Sequence, residues 1–143
     1  DGWRFGNTPH RAARTTTQVH SGLYSLRLGL LSGDANKFTH SSAYQPVTIP
    51  ADAKQVTLRY WEWTGGGASF WDYREALLLV GDPTLLATLE RSRGAGNEQW
   101  TERSFDLTPY RGRTVLVYFD VFNNGIGRRK WSFIDDVSVT SCR

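Results

Sequence analysis

Apolar and polar residues alternate with period two through most of this chain, and turn-forming residues break the alternation roughly every ten residues. A helix needs apolar positions three and four apart, and no stretch here sustains that spacing for more than a turn or two. Leu23–Leu30 sets Tyr24, Leu26, Leu28 and Leu30 on one face, with Ser25, Arg27 and Gly29 on the other. Gln55–Trp63 sets Val56, Leu58 and Tyr60 against Thr57, Arg59, Trp61 and Trp63, so one strand carries aromatics on both faces. Val115, Val117, Phe119 and Val121 form a core series opposite Leu116, Tyr118, Asp120 and Phe122. Further strands are predicted over Ala43–Ile49, Tyr73–Val80, Leu85–Arg91, Trp100–Leu107 and Trp131–Thr140.

Gly81-Asp82-Pro83 is expected to turn a central, well-covered hairpin, and Asn123-Asn124-Gly125 is a second turn signal. The run Gly65-Gly66-Gly67 is expected to be a long, mobile loop leading to Trp71. Residues 1–20 alternate poorly and predict one or two short edge segments in a long loop. About eight strands with such turns predict an all-β antiparallel sandwich. A length of 143 residues lets one domain, 1–143, bury one core.

Abundant Trp, Tyr, Thr, Ser and Gly agree with strands and tight turns. The longest apolar stretch, Ala76–Val80, is too short to cross a bilayer, which excludes membrane insertion by a helix. A net charge of +3 with dispersed basic residues argues against nucleic acid. The clusters Arg128-Arg129-Lys130 and Arg111 with Arg113 are expected to be solvated loops. Cys142 has no second cysteine in the chain, leaving a free terminal thiol or a bridge to another chain or to a neighbouring segment. The sequence opens at Asp1 without Met or a signal-like segment and reads as a processed or excised product.

Three stretches taken together resemble a known group of modules. They are Val19-His20-Ser21-Gly22-Leu23-Tyr24-Ser25-Leu26-Arg27-Leu28-Gly29, the segment from Ser104-Phe105-Asp106-Leu107-Thr108-Pro109-Tyr110 to Val115, and Phe133-Ile134-Asp135-Asp136-Val137-Ser138-Val139. In that order, over Val19–Val139, they resemble the MAM-like and carbohydrate-binding-module-like jelly rolls appended to secreted bacterial proteins. The resemblance implies a two-sheet jelly roll, an extracellular or cell-surface location, and a structural Ca²⁺ fastening the first and last strands. Asp135 or Asp136 would supply a carboxylate, and the turn at Ser21 and Gly22 backbone oxygens; about six to eight oxygens suit Ca²⁺. The resemblance also expects an acidic residue on a strand ahead of the Gly-Trp pair, where this sequence has only Asp1. Alternation adds that if Val137 and Val139 face the core, Asp135 faces it too and needs a cation, an Arg or backbone N–H groups.

Candidate functional residues come from the outward aromatics. Trp61, Trp63 and Trp71, with Tyr118 and Phe122, would share one surface if their strands belong to one sheet. Sugar rings present C–H faces that stack on indole and phenol rings, and Arg59, Glu62, Asp72 and Asp120 would bond hydroxyls. The competing reading is packing, since a Trp on a strand commonly covers its sheet. His10, His20 and His40 lack metal-ligand spacing and are expected at the surface. No nucleophile motif is present. Glu62, Asp72, Glu75 and Asp120 would make a glycosidase only if two of them flank a cleft. These readings predict a non-catalytic module binding polysaccharide or glycan. The alternative is a structural subunit that associates with copies of itself.

Overall fold

The computed structural model describes residues 2–81 and 84–143. Asp1, Asp82 and Pro83 lie outside the described residues, and with them most of the expected Gly81-Asp82-Pro83 turn. Among the described residues ten strands follow in order: β1 (Arg4–Phe5), β2 (Ala13–Thr15), β3 (Ser25–Gly29), β4 (Phe38–Thr48), β5 (Gln55–Gly66), β6 (Tyr73–Val80), β7 (Thr84–Ser92), β8 (Trp100–Asp106), β9 (Thr114–Asn124) and β10 (Lys130–Cys142). One 3₁₀ turn among the described residues, Thr108–Tyr110, carries Pro109 in its first turn, where the missing N–H costs nothing. Among the described residues no helix is long and apolar enough to cross a membrane.

The strands form two antiparallel five-stranded sheets. Sheet A runs β1-β4-β9-β6-β7 and sheet B runs β2-β3-β10-β5-β8. The inward halves of the alternation meet between them. Val115, Val117, Phe119 and Val121 of β9, with Ala43 and Leu78, pack against Val56, Leu58 and Tyr60 of β5, Leu26 and Leu28 of β3 and Ile134 of β10. The one or two edge segments expected in residues 1–20 are β1 and β2. Pro46 sits on β4 beyond the reach of β1, where the missing N–H leaves no ladder bond unmade.

The fold corrects several local expectations. The β6–β7 hairpin lies at an edge of sheet A rather than at its centre. Tyr24 stands outside β3 and is 51% exposed, with the Arg14 guanidinium 5.2 Å from its ring centroid. Gly65 and Gly66 are not loop but the end of β5, paired with Trp131 and Lys130. The missing side chain at Gly65 is what admits the Trp131 indole, since a Cβ there would fall inside the ring. Lys130 is not solvated; it is fully buried, and its Nζ donates to the carbonyls of Gly67, Arg93 and Gly94 at 2.9, 3.3 and 2.8 Å.

Asp135 does not face the core either. Asp136 takes a left-handed backbone (φ +51°), and the β10–β5 register slips between Asp135 and Ser138. Such a bulge inserts one extra residue and flips the alternation after it. Ile134 therefore points inward before the bulge and Val137 and Val139 after it, while Asp135 stands opposite Trp61 on the outer side of sheet B.

Candidate functional site

The outer face of sheet A is organised by its central strand, β9. Because the odd-numbered residues of Val115–Val121 point inward, Leu116, Tyr118, Asp120 and Phe122 stand outward in a row. Cross-strand register then places Tyr44 beside Tyr118, Ser42 and Glu75 on either side of Asp120, and His40 and Tyr73 on either side of Phe122. The Tyr44 and Tyr118 rings stack with centroids 5.5 Å apart. Phe122 contacts His40 at 4.8 Å, Phe38 at 5.1 Å and Tyr73 at 5.3 Å. Two aromatic stations thus lie about 13 Å apart along β9 with a carboxylate between them.

Each station opens to solvent. Beside the tyrosine pair lies a groove of about 370 Å³ lined by Arg4, Gly6, Tyr44, Gly81, Leu116 and Tyr118. At the other end Phe38, Phe70 and Trp71 are 67%, 78% and 62% exposed. Phe70 and Trp71 meet edge to face at 4.8 Å. Arg93 holds that tip: its Nη1 donates to the carbonyls of Phe70 and Trp71 while its guanidinium lies 5.1 Å from the Tyr73 centroid. Arg91 covers the same ring at 4.7 Å.

The centre of the face is charged and mostly covered. Asp120 is 3% exposed and Glu75 8%. Asp120 Oδ2 lies 2.7 Å from His40 Nδ1, and this bond raises the His40 pKa above its ordinary value. Asp120 Oδ1 is buried and has no hydrogen-bond partner among the described residues. Glu75 Oε1 accepts from Arg91 Nε and Nη2 at 3.1 and 2.6 Å. Burial, and then the neighbouring Asp120, raise the Glu75 pKa despite Arg91.

No protein-family model matches the chain, and no curated protein does. Solved structures do. TmCBM61 in complex with β-1,4-galactotriose superposes with a TM-score of 0.68 at 14% identity, covering 97% of this chain and 88% of that one. A carbohydrate-binding module of the β-sandwich superfamily, described for promiscuous specificity, gives 0.61 at 14% identity over 97% of this chain and 57% of the other. A family 4 carbohydrate-binding module gives 0.57 at 18% identity over 98% and 94%. The fold is that of the carbohydrate-binding-module jelly rolls.

On this sandwich the expected shared aromatic surface divides. Tyr118 and Asp120 lie on the outer face of sheet A, with Trp71 on the loop entering β6. Arg59, Trp61 and Trp63 lie on the outer face of sheet B, because β5 belongs there and β9 does not. Trp61 is covered by the His20 ring at 4.2 Å, and Trp63 meets Trp100 at 6.0 Å; all three tryptophans are half-buried. Arg59 is exposed on that face. Asp72 is 1% exposed, and its Oδ1 accepts the Asn124 N–H at 2.8 Å, tying the loop to the end of β9. Of the four carboxylates considered for catalysis only Glu75 and Asp120 meet; Glu62 is in the interior, bonded to Arg103 at 2.8 Å. The site residues that sequence reasoning missed are Phe38, His40, Tyr44, Tyr73 and Arg91. The alternation Phe38, His40, Ser42, Tyr44 was the available signal.

The proposed calcium ligands meet but do not fit a cation. Asp135 Oδ2 accepts from the backbone N–H groups of His20 and Ser21, and Oδ1 from that of Asp136, at 2.9, 3.1 and 2.7 Å. Asp136 accepts from the Ser21 hydroxyl and contacts His20 Nδ1, each at 2.6 Å, which holds its pKa low against the effect of burial. The Ser21 turn thus presents donors where Ca²⁺ would need oxygens, and Gly22 serves as a left-handed turn residue (φ +68°). Among the described residues no group of three or more His, Cys, Asp or Glu is placed to hold a metal.

Proposed function

We propose that this chain is a non-catalytic carbohydrate-binding module that holds a glycan along β9 on the outer face of sheet A. The observation that carries this reading is the outward row Tyr118, Asp120, Phe122, in which a carboxylate sits between two aromatic stations. A pyranose offers an apolar C–H face for stacking on each aromatic station. The β-1,4-galactotriose complex of TmCBM61 supports a glycan as the ligand class. Glu75 and Asp120 are 8% and 3% exposed, so neither carboxyl opens onto a cleft for a scissile bond, which supports a binding rather than a hydrolytic role. A polymeric glycan as ligand would suit an extracellular or cell-surface setting and attachment to a larger secreted protein.

The test is a set of single alanine variants read by glycan retention and by melting. Trp71→Ala is expected to weaken retention about tenfold or more with a nearly unchanged melt, as for a truncated interface anchor, and Tyr118→Ala, half-buried against Tyr44, to weaken retention similarly while also lowering the melt. Trp61→Ala and Trp63→Ala, half-buried on the other face, are expected to lower stability by about 2 kcal/mol and leave retention intact. Retention lost only in the Trp61 and Trp63 variants moves the site to sheet B. Assembly lost without any effect on retention makes the face a contact between copies of the chain.

A further inference from the structure

We propose that the groove beside the tyrosine pair is a subsite for the carboxylate of an acidic sugar, with the Arg4 guanidinium as its counter-ion, so that the ligand of this face is a uronate-bearing polysaccharide. The proposal rests on the carbohydrate reading above and adds to it a ligand class and the residue that selects it.

Cross-strand register puts Arg4 in the subsite. Arg4 of β1 pairs with Tyr44 of β4, and Tyr44 with Tyr118 of β9, so the three side chains stand in one row on the outer face. Together they line the open groove of about 370 Å³. Arg4 is exposed, and its guanidinium makes no hydrogen bond or ion pair among the described residues. Directly opposed residues carry their Cβ atoms about 5 Å apart, so a pyranose lying on the tyrosine rings has its substituents within reach of the guanidinium. That planar fork of N–H donors matches a planar carboxylate, which accepts two of them at once.

Among the described residues no exposed anion competes on this face. The strands of sheet A carry the carboxylates of Glu75, Glu90 and Asp120. Glu75 and Asp120 are buried, one held by Arg91 and the other by His40, and Glu90 turns inward toward Arg103 of sheet B. The cations are arranged the other way. Arg4 at the tyrosine pair, and Arg91 and Arg93 over Tyr73 at the other station, are all exposed. Arg93 is bonded to two carbonyls but to no carboxylate. A glycan laid along β9 therefore meets exposed positive charge at both ends and covered, paired negative charge between them. A recess lined by accessible charge of one sign draws ligands of the other. A neutral glycan leaves Arg4 to water, whereas an acidic one supplies the partner that the chain does not.

The test is depletion of the chain from solution by beads carrying polygalacturonate, alginate, fully methyl-esterified polygalacturonate, β-1,4-galactan or a carrageenan. It is run at about 0.1 M salt, where charges more than about 10 Å apart are largely screened. Wild type is expected to bind both uronates more tightly than the galactan and than the methyl ester, which presents the same sugar without its charge. Arg4→Gln is expected to weaken retention by the uronates about fivefold or more, and Arg4→Lys, which keeps the charge but loses the fork, to fall between. Arg59→Gln removes the same charge from the outer face of sheet B and is expected to bind the uronates as wild type does. Arg4 and Arg59 are both exposed, and unchanged melts confirm that the variants are folded. An equal loss in Arg4→Gln and Arg59→Gln makes the attraction one of net charge and overturns the subsite. Tighter retention by the carrageenan than by both uronates puts a sulfate in place of the carboxylate and overturns the ligand class. Equal or tighter retention by the methyl ester or the galactan overturns it too, and the carbohydrate reading stands. Retention of wild type by none of the five glycans overturns the carbohydrate reading itself.

Discussion

Glu90 shows how a single side chain can weaken this sandwich at neutral pH. It shares the interior end of β7 with Glu62 and with Arg103, whose Nε lies 2.8 Å from Glu62 and 3.5 Å from Glu90. Burial first, and then the Glu62 charge, push its pKa from 4.5 to about 7. A carboxyl that binds its proton more tightly folded than unfolded adds stability below the unfolded value of 4.5, and loses it as pH rises through about 7. Glu90→Gln is therefore expected to raise the melting temperature by a few degrees at pH 8 and to change it little at pH 4.5, by calorimetry at the two pH values. Asp135 is a carboxylate held by three backbone donors. Asp135→Asn is expected to cost about 1–3 kcal/mol, because charge-assisted bonds to backbone N–H groups are lost. A chelator is expected to leave the wild-type melt unchanged. A melt raised by added Ca²⁺ would show that the donors around Asp135 swing aside for the ion.

At the level of elements, β5 and β10 depend on two departures from regular strand. One is the bulge at Asp136, which returns Val137 and Val139 to the core. The other is the glycine end of β5, where Trp131 lies across Gly65. Gly65→Ala is expected to displace the Trp131 indole toward solvent, read as a red shift in tryptophan fluorescence together with a lower melt. An unchanged spectrum would mean that the strands separate locally to admit the methyl group. The loop after Gly66 is held by buried cations: Lys130 takes the Gly67 carbonyl and Arg74 that of Gly65, and both reach Gly94. This is why a glycine run that reads as mobile ends in an ordered platform bearing Phe70 and Trp71.

Across the whole molecule the aromatics divide into two populations on opposite faces, with the core between them. Changes on the two faces should therefore add without coupling. In the double variant Trp63→Ala/Tyr118→Ala the loss of melt is expected to equal the sum of the two single losses, and the loss of glycan retention that of Tyr118→Ala alone. A deviation beyond about 0.5 kcal/mol in either quantity would show the faces to be linked through the core.

Sequence alone determined most of the strands and, where no bulge intervenes, which residues of a strand share a face, because period-two alternation is a property of neighbouring residues. It therefore showed that Tyr118, Asp120 and Phe122 stand together opposite Val115–Val121, and that Trp61 stands with Trp63. Only the tertiary structure decided that β9 and β5 lie in different sheets, that His40, Tyr73 and Glu75 flank the β9 row, and that Asp136 interrupts the alternation ahead of Val137. Sheet partnership is made by backbone hydrogen bonds between segments far apart in the chain, and those bonds are the same whatever the side chains. The choice of partner is settled by how all the inward faces pack at once, which no single stretch of sequence records.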